Sequence, residues 1–322
     1  MHYLKYVVPN KLIFDKIIEK QYKNVIFYID MMSISRGYFN KQVATLEICS
    51  YSENRQLPTL FINELKQFLG QLHSYYAKYS PKFVIFYDSG HENQNRNFSS
   101  TYKSDSGGGL NAILEDDELQ LFRQIKQYYF EQVNEKFNIK NISKVLYLKN
   151  IETDYIPYFV LDNNLIDSNN SLTANIILSV DKDLLQTCEF DNVYQAISVY
   201  LKSESRISSA LYDKDNAIEY IFKKFKRGFL TAKYIPLVLA LAGDKADQIP
   251  NLFKGLGFAK AIDLILQYNL PPIFNDTYEL PEILKPYRKQ LIRNLSLTSF
   301  ELQIKRIPFH IHSDVKNLLT DF

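Results

Sequence analysis

Asn24–Asp30 reads NVIFYID, a short run of β-branched and aromatic side chains that ends in an acid. The pattern returns twice, as KFVIFYD over Lys82–Asp88 and as NIILSVD over residues 175–181. Continuous apolar runs of this length predict strands buried on both faces, the habit of a parallel sheet. Helical pattern separates them. Leu57, Leu60, Phe61, Leu65, Phe68, Leu69, Leu72 and Tyr76 recur at helical spacing over residues 57–76, and Leu114, Leu121, Phe122, Ile125, Tyr129, Val133 and Phe137 do so over residues 113–137. The expectation is an α/β fold, a mostly parallel twisted sheet flanked by helices. Open parallel sheets place functional groups beyond the carboxyl ends of their strands, where each of these runs delivers an aspartate.

Composition narrows the class. With 322 residues, 46% of them hydrophobic and 23% charged, the chain is long enough for one large domain or two ordinary ones, and disorder, collagen-like repeats and coiled coil are excluded. Its longest apolar stretches, such as residues 235–243, fall short of the roughly 20 that a membrane helix needs. The opening MHYLKYVVPN lacks a signal-peptide core, so no membrane partner and a cytoplasmic location are expected. Cys49 and Cys188 are too few and too far apart for a disulfide framework or a thiolate metal site, and read as buried small hydrophobes. The net charge of +2 is unevenly divided, with 20 basic against 23 acidic residues in 1–199 and 18 against 13 in 200–322. Acids beside a basic surface suit a metal-dependent enzyme acting on a polyanion, since the metal needs carboxylates and phosphates need cations.

Residues 1–200 are expected to form the sheet-based core, with an insertion at about 89–137. Its first part, residues 89–109 (SGHENQNRNFSSTYKSDSGGG), is polar, Gly/Ser-rich and without apolar period, which predicts a mobile loop or a marginal helix. Residues 201–322 are expected to be helical, with helices at 234–243, 259–268 and 286–295 between Pro-punctuated loops.

Eight acids stand out: Asp30, Asp88, Glu152, Asp154, Asp181, Asp183, Asp244 and Asp247. Any one aspartate at a strand end is ordinarily a cap or turn residue. Several on one sheet edge repel one another unless a multivalent cation compensates. Asp181 and Asp183 lie two apart, as do Glu152 and Asp154; Asp244 and Asp247, three apart, are expected on one helix face. Oxygen ligands without a nearby Cys or His pair favour Mg²⁺ or Mn²⁺ over Zn²⁺. His310 and His312, with no third ligand, read as surface or strand residues.

Two stretches, SVDKDLLQ (residues 179–186) and GDKADQIPNLFKGLG (residues 243–257), resemble motifs of the structure-specific 5′-nucleases. That family comprises flap endonucleases, the 5′–3′ exonuclease domains of bacterial polymerases and phage 5′-nuclease/RNase H enzymes. YID at Asp30, FYD at Asp88 and ETDY at 152–155 occur in the family's order, and the resemblance runs from about Val25 to Tyr268. It implies a PIN-like core with a helix-three-turn-helix at about 234–268. It implies catalytic roles for Asp30, Asp88, Glu152, Asp154, Asp181, Asp183 and Lys103, and one or two Mg²⁺ or Mn²⁺ ions held by those acids with Asp244 and Asp247. The substrate implied is DNA or an RNA–DNA duplex with a 5′ flap or end, including RNA primers in replication. Departures point to a divergent, phage-type member. Tyr155 stands where the family's acidic box has its second aspartate, so a weak outer metal site is expected. The turn at 251–257 is one residue longer than the family's, which bears on the K⁺ ion implied there.

Lys254, Gly255, Gly257 and Lys260 form a Gly-rich turn leading into a helix, where backbone N–H groups and lysines can meet a phosphate without reading sequence. In the 89–109 loop, Arg96, Phe98, Tyr102 and Lys103 mix cations and aromatics as single-strand binding requires. Tyr102 and Lys103 match the family's Y-K-x-x-R, with Ser106 in place of the arginine, and Arg36 resembles a further basic position. By family analogy a single-strand binding protein or sliding clamp is a partner, and the chain a monomer. The competing readings are a PIN-like ribonuclease and a nuclease-derived DNA-binding scaffold that has lost catalysis.

Overall fold

The structure, a computed structural model, describes residues 22–31, 33, 56–88, 116–148, 152–201, 206–221, 230–320 and 322. Strand β1 (Asn24–Asp30) is buried at every position after Asn24, as a doubly covered apolar run requires. It pairs in parallel with β2 (Lys82–Asp88) on one side and β4 (Thr173–Leu178) on the other. Beyond these lie β3 (Ser143–Leu148), parallel to β2, and β5 (Val193–Leu201), parallel to β4. Strand β6 (Arg206–Tyr212) closes the sheet antiparallel to β5, giving the order β3-β2-β1-β4-β5-β6.

Alternate side chains of β1 feed two cores. Phe27 and Ile29 pack with Ile85 and Leu178 beneath α1 (Gln56–Tyr75) and α2 (Asp116–Phe137), which contribute Leu65, Leu69, Leu72, Tyr129, Val133 and Phe137. Ile26 and Tyr28 pack with Val84, Phe86 and Ile177 on the opposite face. That larger core takes in α3 (Ile156–Asp162), α4 (Ala217–Ile221), α5 (Ile235–Ala242), α6 (Phe258–Tyr268), α7 (Arg288–Thr298), α8 (Phe300–Ile304) and α9 (Phe309–Thr320). Among the described residues no helix is long and apolar enough to cross a membrane.

Three expectations need correcting. The third apolar run leaves the sheet at Leu178, so residues 179–181 form a turn beyond the ladder, while the strand begins earlier, at Thr173. The region after residue 200 is not purely helical: β6 lies beyond that point, and a boundary at 200 cuts the β5–β6 hairpin. This pair was illegible because its sequences, VYQAISVYL and RISSALY, mix polar and apolar residues instead of forming a continuous apolar block. His310 and His312 lie in α9 and not in a strand; His310 is at the surface, while the His312 ring is half-buried and packs 4.9 Å from that of Phe159. The 89–109 loop lies outside the described residues.

Strand order reverses between β1 and β4, because the chain builds outward to β2 and β3 before returning to β4 and β5. In open α/β sheets the crevice beyond the carboxyl ends at such a reversal is where ligands bind. Here Asp30 ends β1, and the 179–183 turn follows β4.

Candidate metal centre and nucleic-acid interface

Asp30 is buried, and its carboxylate is met by donors from two segments. The Ser33 N–H donates to Oδ1 at 3.0 Å, and the hydroxyls of Ser33 and Ser179 both donate to Oδ2, that of Ser179 at 2.6 Å. The chain after β4 is then wound tight by its own side chains. Ser179 Oγ accepts from the Asp181 N–H at 3.0 Å, and Asp181 Oδ1 accepts from the Asp183 N–H at 2.9 Å, the local bonding that favours turns over continued strand. Gln195 on β5 holds the turn from outside, donating to the carbonyls of Ser179 at 3.1 Å and Asp181 at 2.6 Å.

The DLLQ segment explains itself in the same way. Leu184 and Leu185 are buried in the larger core, which fixes the turn on the protein body. Gln186 clasps it to the helical region: its amide donates to the carbonyls of Asp183 (2.9 Å) and Thr298 (3.1 Å), and its Oε1 accepts from the Phe300 N–H at 2.8 Å.

Asp244 and Asp247 do not share a helix face as expected. Helix α5 ends at Ala242, because Gly243 takes φ +80°, and both acids lie in the turn that follows. The turn closes through paired backbone bonds between Asp244 and Ile249, at 2.9 and 2.8 Å. A Cβ on Gly243 would lie 2.5 Å from the Asn251 nitrogen, so only glycine fits. Buried Asn294 of α7 staples the turn to α5, donating to the carbonyls of Ala240 at 2.9 Å and Pro250 at 2.8 Å.

These two turns bring Asp183, Asp244 and Asp247 together, each offering a carboxylate oxygen within 4.8 Å of the others. Among the described residues it is the only acid, His or Cys group of that kind. Lys182 enters it as well: its Nζ lies 3.1 Å from Asp183 Oδ1 and also bonds Asp244 Oδ2. Burial pulls the lysine pKa down, but the carboxylates of Asp183, Asp244 and Asp181 outweigh this and hold it above the ordinary lysine value. A compact all-oxygen set that already draws in one cation fits a hard divalent ion.

Asp30, Glu152, Asp154 and Asp181 do not join that ion-sized group. Glu152 is buried and Asp154 half-buried in the turn leading to α3. Tyr155 is 2% exposed, its ring edge-on to that of Phe159 in the larger core, and Pro157 occupies the first turn of α3. Asp88 ends β2 opposite Leu148, but its side chain, like Arg36, Arg96, Tyr102 and Lys103, lies outside the described residues.

The Gly-rich basic turn lies within the described residues. Gly257 is the N-cap of α6 without a capping side chain, Gly255 has φ +82°, and Lys254 and Lys260 are exposed beside them. Leu252 and Leu256 anchor this turn in the core. Its N–H-rich helix start, flanked by two ammonium groups, can receive a phosphate.

Nothing in the sequence singled out Ser33, Gln195 or Asn294, whose work is to satisfy single carboxylate or carbonyl oxygens and which therefore leave no periodic trace.

No known protein family profile matches the sequence, and no curated protein is similar to it. Solved structures are. The bacteriophage T5 flap endonuclease, in complex with DNA and metal ions, aligns with a TM-score of 0.61 at 15% identity, covering 91% of this chain and 97% of that one. The T5 5′-exonuclease with bound zinc gives 0.61 at 14% identity, with 92% and 99% covered. A T5 protein co-crystallised with metal ions gives 0.56 at 15% identity over 92% and 97%. The chain has the PIN-like fold of the bacteriophage T5 flap endonuclease.

Proposed function

We propose that the protein is a divalent-metal-dependent, structure-specific 5′ nuclease, a 5′–3′ exonuclease and flap endonuclease that also removes RNA primers, acting at duplex/single-strand junctions in replication. The observation that carries this reading is the Asp183, Asp244 and Asp247 group, assembled from two separate turns, one of them following the carboxyl end of β4. The fold shared with the T5 enzyme supports it.

Asp183, Asp244 and Asp247 would hold one Mg²⁺ or Mn²⁺, and Asp30, Asp88, Glu152, Asp154 and Asp181 a second ion or the groups around it. A divalent ion supplies Lewis-acid stabilisation of the charge that builds on a phosphate and eases deprotonation of the attacking water. Ser33 and Ser179 orient the Asp30 carboxylate. Lys254, Gly255, Gly257 and Lys260 grip the duplex backbone, with K⁺ as an added cation at that turn. Arg36, Arg96, Tyr102 and Lys103 would receive the single strand, with Lys103 also in a catalytic role. The sheet through β6 then serves as the nuclease core and the helical region after it as the duplex-binding region of a cytoplasmic, monomeric enzyme working beside a single-strand binding protein or sliding clamp.

The test incubates the protein and Mg²⁺ with a 5′-labelled flap duplex and, separately, a single-stranded RNA. Short labelled products from the flap support the reading. Cleavage of the RNA alone identifies a ribonuclease, and binding of the flap without cleavage identifies a scaffold. Asp183→Asn should abolish flap cleavage while flap binding stays within about tenfold.

A further inference from the structure

Lys182 lies between two aspartates of its own turn, and its ammonium spans to a second segment. It contacts Asp183 next to it in sequence and Asp244, 62 positions later, whose side chain is 7% exposed. The oxygens of Asp183 and Asp244 that could ligate a metal belong to the same group of three. Carboxylates crowded within 4.8 Å repel one another, and the ammonium offsets that repulsion. It is a compact charge with three donors on a flexible stem, able to enter and leave such a site without backbone movement.

The Lys182 ammonium already takes one oxygen of Asp183 and one of Asp244, two of the three residues that could hold a divalent ion, so the ion and the ammonium compete for the same carboxylates. Two cations sharing that space would repel at short range, so one excludes the other. We propose that Lys182 is a tethered counter-cation that holds Asp183 and Asp244 together in the metal-free protein and is displaced by the incoming divalent ion. Metal binding is then an exchange, one internal ammonium for one divalent ion, with the ammonium remaining protonated and moving to solvent. The inference rests on the metal site of the proposed function but concerns how that site fills, not what it cleaves. An intramolecular competitor acts at an effective concentration of about millimolar, enough to set the metal concentration at which the site loads.

The experiment compares the full chain with Lys182→Met and Lys182→Gln, without nucleic acid, by calorimetric Mn²⁺ titration and by thermal unfolding in chelator and in Mn²⁺. Both variants should bind Mn²⁺ about tenfold or more tightly than the parent. Both should also melt at lower temperature in chelator, where the carboxylates have lost the Lys182 charge, and gain more from added Mn²⁺. Equal Mn²⁺ affinity in parent and variants overturns the exchange while leaving the metal site intact. Weaker binding in the variants also overturns it, since the lysine would then support the ion. If neither parent nor variants bind Mn²⁺ and none cleaves a flap, the metal-site reading fails and the exchange with it.

Discussion

The Ser179 hydroxyl donates to Asp30 Oδ2 at 2.6 Å, joining residues 149 apart in sequence across the point where the strand order reverses. The carboxylate is buried, so its orientation is set by protein donors and not by water. Ser179→Ala removes one of these and leaves the oxygen dependent on Ser33. Flap cleavage should fall about ten- to a hundredfold, as is usual when a group that orients a metal-site carboxylate is lost, with the melting temperature little changed. Ser179→Thr, which keeps the hydroxyl, should retain most activity. Full activity in the alanine variant would mean that Asp30 needs no such orientation.

Gly243 and Gly255 offer a paired test of the turns that carry the acids and the lysines. Both have φ near +80°, but a Cβ on Gly243 would meet Asn251 nitrogen at 2.5 Å, whereas a Cβ on Gly255 finds only Lys260 Nζ, at 3.9 Å. Gly243→Ala should therefore lose about 2–4 kcal/mol in urea unfolding, combining backbone strain with a clash against main chain. Gly255→Ala carries the strain alone, about 1–2 kcal/mol. Gly243→Ala should also lose cleavage, because the shifted turn carries Asp244 and Asp247. Equal losses of stability in the two variants would show that the packing around Gly243 yields.

The parallel strands β1 and β2 were legible to the residue, because apolar side chains on both faces leave a continuous signature that ends at an aspartate. The carboxylates were legible as a set, but not their grouping. A spacing of three places Asp244 and Asp247 together on a helix, yet Gly243 ends α5 first and the turn beyond does the gathering. Lys182 was invisible for a different reason: a lysine beside two aspartates reads as a solvated charge until the fold brings Asp244 against it. The same holds for Gln186, whose partners Thr298 and Phe300 come from more than a hundred residues away.

Glu189 makes stability depend on pH. Burial raises its pKa above the ordinary carboxylate value, while the Tyr158 hydroxyl at 2.6 Å and Lys233 oppose this, and Glu301 and Asp162 push it further up. A carboxyl whose folded pKa exceeds the unfolded one contributes stability fully below the unfolded value, and that contribution is lost as pH rises through the folded value. Ionising Glu189 in the folded protein therefore costs more than in the unfolded chain, because the half-buried carboxylate is desolvated. Glu189→Gln keeps an acceptor for Tyr158 and should raise the melting temperature at pH 7.5, the gain vanishing near pH 4. A gain of the same size at both pH values would assign the effect to packing.

Tyr155 decides between alignment and environment. The resemblance sets it where the 5′-nucleases carry an acid, which makes aspartate at this position the natural repair of a weak outer site. The structure puts the ring in the larger core, 2% exposed, with Phe159 edge-on at 6.4 Å and 87°. Tyr155→Asp would exchange a buried aromatic ring for a carboxylate with apolar neighbours, a change that costs about 3–5 kcal/mol from lost packing before the charge is counted. The expected outcome is a destabilised protein whose remaining folded fraction shows the same Mg²⁺ dependence as the parent, measured at low temperature. Tyr155→Phe, which keeps the ring, should leave that dependence unchanged too. Asp244→Asn, by contrast, removes an oxygen from the group of three and should shift cleavage to higher Mg²⁺. A stable Tyr155→Asp protein that cleaves at lower Mg²⁺ would show that position 155 reaches the carboxylates after all, and that the core beside Phe159 can close without the tyrosine ring.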